Sequence, residues 1–197
     1  MPQVELIGPR AVSVTKEGED DGFVVLPGWM AEGTPDGETR IVVSVPLADL
    51  PRVHAALIGA LQEPLGFLYR RKVDRRNPGP QNAPPKDFVA LSLHTDRVLA
   101  AISASSLLVY CDARGEVWIR GRMGEQVVLD EDGVIYCYPD DPSFRDVLAV
   151  EGVPAEDVQT VAQRDYVKHW FRAEADAAED LLIGSLHLTA VPARPKS

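Results

Sequence analysis

Cysteine, positive charge and long apolar runs are all in short supply in this chain, and each shortage removes a class of function. Cys111 and Cys137 are the only cysteines among 197 residues. Two thiols cannot build a disulfide scaffold, and neither has the closely spaced partner of a thiolate metal site. Each directly follows a tyrosine in an apolar run, the setting of a buried and unreactive thiol. The longest mostly apolar stretch, Val98 to Tyr110, holds three serines and is too short to span a bilayer. Met1 to Pro9 lack the basic and apolar regions of a secretory leader. The expectation is a soluble, cytoplasmic protein without membrane contact.

Lysine and arginine number 20 against 30 aspartates and glutamates, for a net charge of −10. Such a field repels nucleic-acid phosphates and anionic membranes and attracts basic partners. The phosphate-cradling motifs G-x-x-x-x-G-K and G-x-G-x-x-G are missing. Gly184-Ser185-Leu186 lacks the second glycine of a nucleophile elbow. The histidines, His54, His94, His169 and His187, are scattered without the paired spacing of a zinc site. Neither a cofactor nor a metal is expected.

The composition itself is that of a globular protein, with 45% hydrophobic and 25% charged residues. A compact chain of this length buries roughly 70% of the surface its unfolded form exposes. Residues 1–197 read as a single α+β domain. The only weak boundary is the proline-rich stretch 77–86, which must be extended because proline offers no amide donor.

Local patterns predict a mostly antiparallel sheet with four to five helices packed to one side. Short strands are expected at Val4–Ile7, Ala11–Val14, Phe23–Leu26 and Arg40–Val45, separated by glycine and proline breakers that include Gly28 and Gly33 to Gly37. Leu50, Val53, Leu57, Ile58 and Leu61 form one helical stripe after Asp49. Leu65 to Val73 alternates as a strand, and Phe88–Leu93 is the next. Thr95 precedes a second helix. A β-meander follows over about 107–138, with strands at Leu107–Cys111, Glu116–Arg120, Gln126–Asp130 and Val134–Tyr138. Asp132-Gly133 is its strongest hairpin signal. Asp141-Pro142 opens a helix with an aspartate cap and proline in the first turn. Pro154, Glu156 and Asp157 read as the start of another. Asp165–Phe171 alternates as a strand, and Ala173–Leu186 reads as the last helix.

Candidate sites are few. Arg70, Arg71, Lys72, Arg75 and Arg76 surround a single anion, Asp74. This run is either an arm that binds phosphate or acidic groups, or a soluble edge strand whose cations pair with the protein's own carboxylates. Trp29, in a breaker-rich loop, could anchor an interface. Asp130-Glu131-Asp132-Gly133 resembles part of a calcium loop, but its glycine is misplaced for one, which leaves a hairpin. His94, Asp96 and His169 are the residues to test for a hidden hydrolase-like site. Glu174, Asp176, Glu179 and Asp180 read as the solvated face of the last helix.

These features serve recognition better than bond chemistry. The leading expectation is a non-catalytic protein-binding module, of the adaptor or immunity type, that takes a partner with a basic surface. A small enzyme and a phosphate or nucleic-acid binder working through 70–76 are the alternatives. A homodimer is as compatible with the sequence as a monomer.

Overall fold

A computed structural model of the chain describes residues 6–77, 83–169 and 172–191. Its elements in chain order are β1 (Ala11–Ser13), β2 (Gly28–Gly33), β3 (Thr39–Ser44), α1 (Leu50–Gly59), β4 (Leu65–Arg71), β5 (Lys86–Leu93), α2 (Thr95–Ala104) and α3 (Ser106–Cys111). They continue with β6 (Gly115–Arg120), β7 (Gln126–Leu129), β8 (Ile135–Tyr138), α4 (Pro142–Val150), β9 (Tyr166–Lys168), α5 (Ala175–Ser185) and β10 (Thr189–Ala190). The result is an α+β protein. Eight strands form one antiparallel sheet in the order β10-β5-β4-β6-β7-β8-β3-β2, and β1 and β9 form a separate pair. None of the described helices is long and apolar enough to cross a membrane.

Alternation along the strands separates the two sides of the large sheet. Phe67 and Tyr69 of β4, Val117 and Ile119 of β6, Val127 and Leu129 of β7, Ile135 and Cys137 of β8, and Ile41 and Val43 of β3 share one face by register. All are buried in the main core together with Leu57, Ile58, Val98, Ile102, Leu148 and Leu182 of the helices. The helices therefore cover that face. α1 packs on α2, α3 and α4, and α5 packs on α2 and α3. Elements on both sides of the 77–86 segment contribute to this core.

Several local expectations hold in detail. β4 alternates as its sequence does, with Phe67 and Tyr69 buried and Leu68 and Arg70 half-buried on the other face. The Asp141 side chain caps α4 by accepting from Ser143 N at 2.8 Å. Gly133 closes the β7–β8 hairpin at φ +84°, a conformation that an L side chain rarely adopts.

Other expectations need correction. Leu107–Cys111 is helical, not a strand: α3 is buried at Leu108, Val109, Tyr110 and Cys111, and an apolar run without polar positions carries no period to distinguish the two. The meander is therefore three-stranded and starts at Gly115. Phe23–Leu26 has no regular structure, and the strand lies instead at Gly28–Gly33. The helix expected from Pro154 is absent. That segment runs along β2, with Trp29 N donating to Pro154 O at 2.9 Å and Glu156 N to Trp29 O at 3.1 Å. Only Val161–Gln163 makes a short 3₁₀ turn. Val4 and Glu5, most of the proline stretch, Trp170, Phe171 and the tail from Pro192 lie outside the described residues.

Candidate interaction surfaces

The basic segment is placed by β4, which lies between β5 and β6. Register sets Arg70 opposite both Asp87 and Glu116, and its guanidinium takes both Asp87 oxygens at 2.9 and 3.0 Å. Arg71 reaches Asp74 at 2.8 Å and Glu179 at 3.7 Å. Lys72 pairs with Glu116 and with Glu131, the latter at 2.6 Å. Past the strand, Arg75 binds Asp176 through Nε at 3.0 Å, and Arg76 binds Asp180 at 2.8 Å and Glu179 at 3.0 Å. Every one of the five candidate cations thus carries a carboxylate partner. Asp176, Glu179 and Asp180 stand three and four residues apart and so share one face of α5. That face meets the segment and is not simply solvated, since Glu179 is 1% exposed.

Behind these pairs the polar groups become fully buried. Arg114 holds both Asp112 oxygens, at 2.8 and 3.0 Å, and Asp176 Oδ1 at 2.8 Å. Tyr69 donates to Glu179 Oε1 at 2.7 Å; burial, then Glu179, push its hydroxyl pKa well up. Arg10 aims its guanidinium at three backbone oxygens, of Asp112 at 2.9 Å and of Asp130 and Gly115. The guanidinium of Arg75, then that of Arg114, hold Asp176 far below the usual carboxylate range. Together these bonds tie β1, the β6 and β7 ends, α5 and the connection 112–114 into one ionic framework.

The two histidines marked for catalysis do not meet. His94 follows β5 at the end where Leu93 pairs with Leu65. It is 83% exposed and touches Glu63 at 2.9 Å. His169 is bound through its backbone to Arg10 and Ala113, beside the opposite end of β4, where Arg71 pairs with Gly115. Seven residues of strand, about 20 Å, separate the two ends. Asp96 is an exposed residue in the first turn of α2. His54 is fully buried against Tyr110, and burial lowers its pKa to about 3, so the ring is neutral in ordinary buffers. Among the described residues no group of three or more His, Cys, Asp or Glu side chains could hold a metal ion. Asp130 Oδ1 accepts from Asp132 N and Val134 N, both at 2.9 Å, so this cluster closes its hairpin.

Cys111 and Cys137 are both buried, and burial raises both thiol pKa values. Neither thiol should react with Ellman's reagent at pH 8 until the protein unfolds. Rapid modification of either in the native state would contradict this packing.

Two surfaces emerge from the strand register, and of their residues the sequence marked only Trp29. On the side of the sheet away from the helices, register aligns Val89, Leu68, Trp118, Val128, Tyr136, Val42 and Met30 in one row from β5 to β2. Val134 and Val158 cover its Val42 end. Arg70 lies over Trp118 at 5.7 Å and Arg40 over Tyr136 at 4.2 Å, so cations shield the aromatic part. Only knowledge of the register could have assembled this row.

The second surface is the outer edge of β2. Trp29 belongs to this strand; its ring is half-buried against the core with Arg145 over it at 5.6 Å. It is not a free loop anchor. Around it stand exposed carboxylates with no cation at ion-pair distance among the described residues: Asp36 and Glu38 in the β2–β3 turn, and Glu156 and Asp157 beside Trp29. Comparisons with protein-family models, curated proteins and solved structures find no match for this chain.

Proposed function

We propose that this protein is a non-catalytic binding module, of the adaptor or immunity type, whose partner is a protein with a basic surface. The observation that carries this reading is the distribution of charge. The one concentrated source of positive charge, Arg70 to Arg76, is paired with carboxylates inside the protein. It therefore does not offset the acidic groups along the β2 edge, where Asp36, Glu38, Glu156 and Asp157 face solvent unpaired. A partner of opposite sign is drawn to such an edge from a distance and held in register on arrival. No placement favours the other two readings: His94 and His169 stand at opposite ends of β4, and each cation of the segment already has its anion.

Affinity capture from the source cells tests this. Wild type is compared at low and high salt with a variant carrying Asp36→Asn, Glu38→Gln, Glu156→Gln and Asp157→Asn. A stoichiometric partner of basic isoelectric point should be captured by wild type. It should be released as ionic strength shortens the Debye length from about 30 Å to about 8 Å, and the variant should not hold it. Failure to capture any partner, or a partner that the variant and high salt both retain, would remove the reading.

A further inference from the structure

The acidic edge is also an open hydrogen-bonding edge. In β2 the N–H and C=O of Trp29 point away from β3, since they bond Pro154 and Glu156 on the outer side. A strand repeats its orientation every two residues. Ala31 and Gly33 therefore present their N–H and C=O groups on that same outer side. Both residues are exposed, and neither backbone has a hydrogen-bond partner there among the described residues. The edge already accepts an added strand: Pro154 to Glu156 pair with it in parallel at Trp29. That segment then leaves, and Val158 packs with Val42 and Val134 on the other side of the sheet.

Resting on the reading of a basic partner, we infer that the partner docks as an extended, lysine- or arginine-bearing segment that adds to β2 at Ala31 and Gly33. Backbone groups supply the affinity in such strand addition and alternate side chains supply the choice of ligand. The carboxylates bracket the open stretch. Glu156 and Asp157 lie at its Trp29 end, and Asp36 and Glu38 follow Gly33 in the turn. The span from Trp29 to Gly33 is about 14 Å, so cations at every second residue of an added strand meet acid at both ends. In the free protein the same charges keep the edge from pairing with a second copy, because like charges would be brought together. A basic strand turns that repulsion into attraction.

The probe is a heptapeptide of alternating lysine and valine, and its control is the same peptide N-methylated at every peptide nitrogen. Methylation preserves charge and removes the donors of both strand edges, so neither edge of the control can donate to β2. At about 0.01 M ionic strength, where the Debye length is about 30 Å, the parent peptide should bind about tenfold tighter than the control, the effect of two lost hydrogen bonds. Hydrogen exchange at Ala31 and Gly33 should slow on binding. Ala31→Pro removes an outward donor at an edge position that tolerates proline, and should weaken the parent peptide about as much as methylation does. Equal binding of the two peptides, or protection elsewhere on the surface, overturns strand addition. If the four-site neutral variant then loses both peptides, the basic-partner reading survives that result. If neither peptide binds wild type, or the neutral variant binds as well as wild type does, both fail.

Discussion

Arg114→Ala should destabilise the protein by about 3–5 kcal/mol, the range for breaking a buried ion pair by removing one partner. Arg114 is fully buried, and so is Asp112, which it grips with two nitrogens. The same guanidinium reaches Asp176 Oδ1 at 2.8 Å and Arg172 O at 2.7 Å. Truncation strands the Asp112 carboxylate without a cation. What remains to it are backbone donors, Arg114 N at 2.9 Å and Arg172 N at 3.3 Å. Lysine at this position should recover little, because an ammonium cannot span two carboxylate oxygens and a third acceptor in one plane. The double variant Asp112→Asn/Arg114→Met should be more stable than Arg114→Ala, since it leaves no unpaired charge. In thermal unfolding the single variant should melt about 10 °C lower, at about 2–4 °C per kcal/mol for a chain of this size. Urea denaturation with an unchanged m-value would confirm that the native state alone is affected. A loss under about 1 kcal/mol would show that the 112–114 connection is not a buried ionic tie.

The parts of this fold that could be read from sequence are those fixed by chemistry within a few residues. Asp132-Gly133 closes its hairpin because glycine takes φ +84° and the Asp130 carboxylate binds two amides of the turn. Asp141 caps α4 through its own neighbour, Ser143. The alternation of β4 survives because the sheet has one apolar face and one mixed face. Failures came where a distant segment decides. α3 repeats no polar position, so only its placement under α1 and α5 makes it a helix. Pro154 to Asp157 carry a helix-start composition, yet hydrogen bonds to Trp29 draw them out along β2.

The candidate surfaces follow the same division. The charge of Arg70 to Arg76 was plain in the sequence, but its destination was not. Asp176, Glu179 and Asp180 lie more than a hundred positions away in the chain from the arginines they bind. Pairing with the protein's own carboxylates describes the geometry of all five cations, but β4 lies between β5 and β6 and is not the edge strand that alternative expected. Each of these cations is matched by a carboxylate within reach, so the run does not offset the acidic groups of the β2 edge. Trp29 was visible as a large residue among breakers, whereas its strand is made by pairing with β3, from Gly28 opposite Ser44 to Gly33 opposite Thr39. No local signal in Gly28–Gly33 competes with two glycines at its ends.

Asp130→Asn should stabilise the protein at pH 7.5, by up to about 3 kcal/mol, and leave it unchanged near pH 4. Burial, with Asp132 and Glu131 as neighbouring anions, pushes the Asp130 carboxyl up to about 6, against the lowering effect of the Val134 amide and of Arg10. The unfolded chain has the ordinary aspartate value of about 3.9. A raised folded pKa gives stability that is complete below the unfolded value and disappears as pH rises through the folded one. Between about pH 4 and pH 6 the folded state thus gives up its advantage, at 1.36 kcal/mol for each unit of difference. Asparagine keeps the oxygen that accepts from Asp132 N and Val134 N, and it cannot ionise. Its stability profile should run above that of wild type at neutral pH and converge with it in acid. The contrast isolates this cluster, because carboxylates away from it, such as Glu63 held at about 2 by the Thr95 amide and His94, titrate alike in both proteins. Parallel profiles, with no convergence between pH 4 and pH 7, would show that Asp130 ionises freely and that Arg10 compensates its charge.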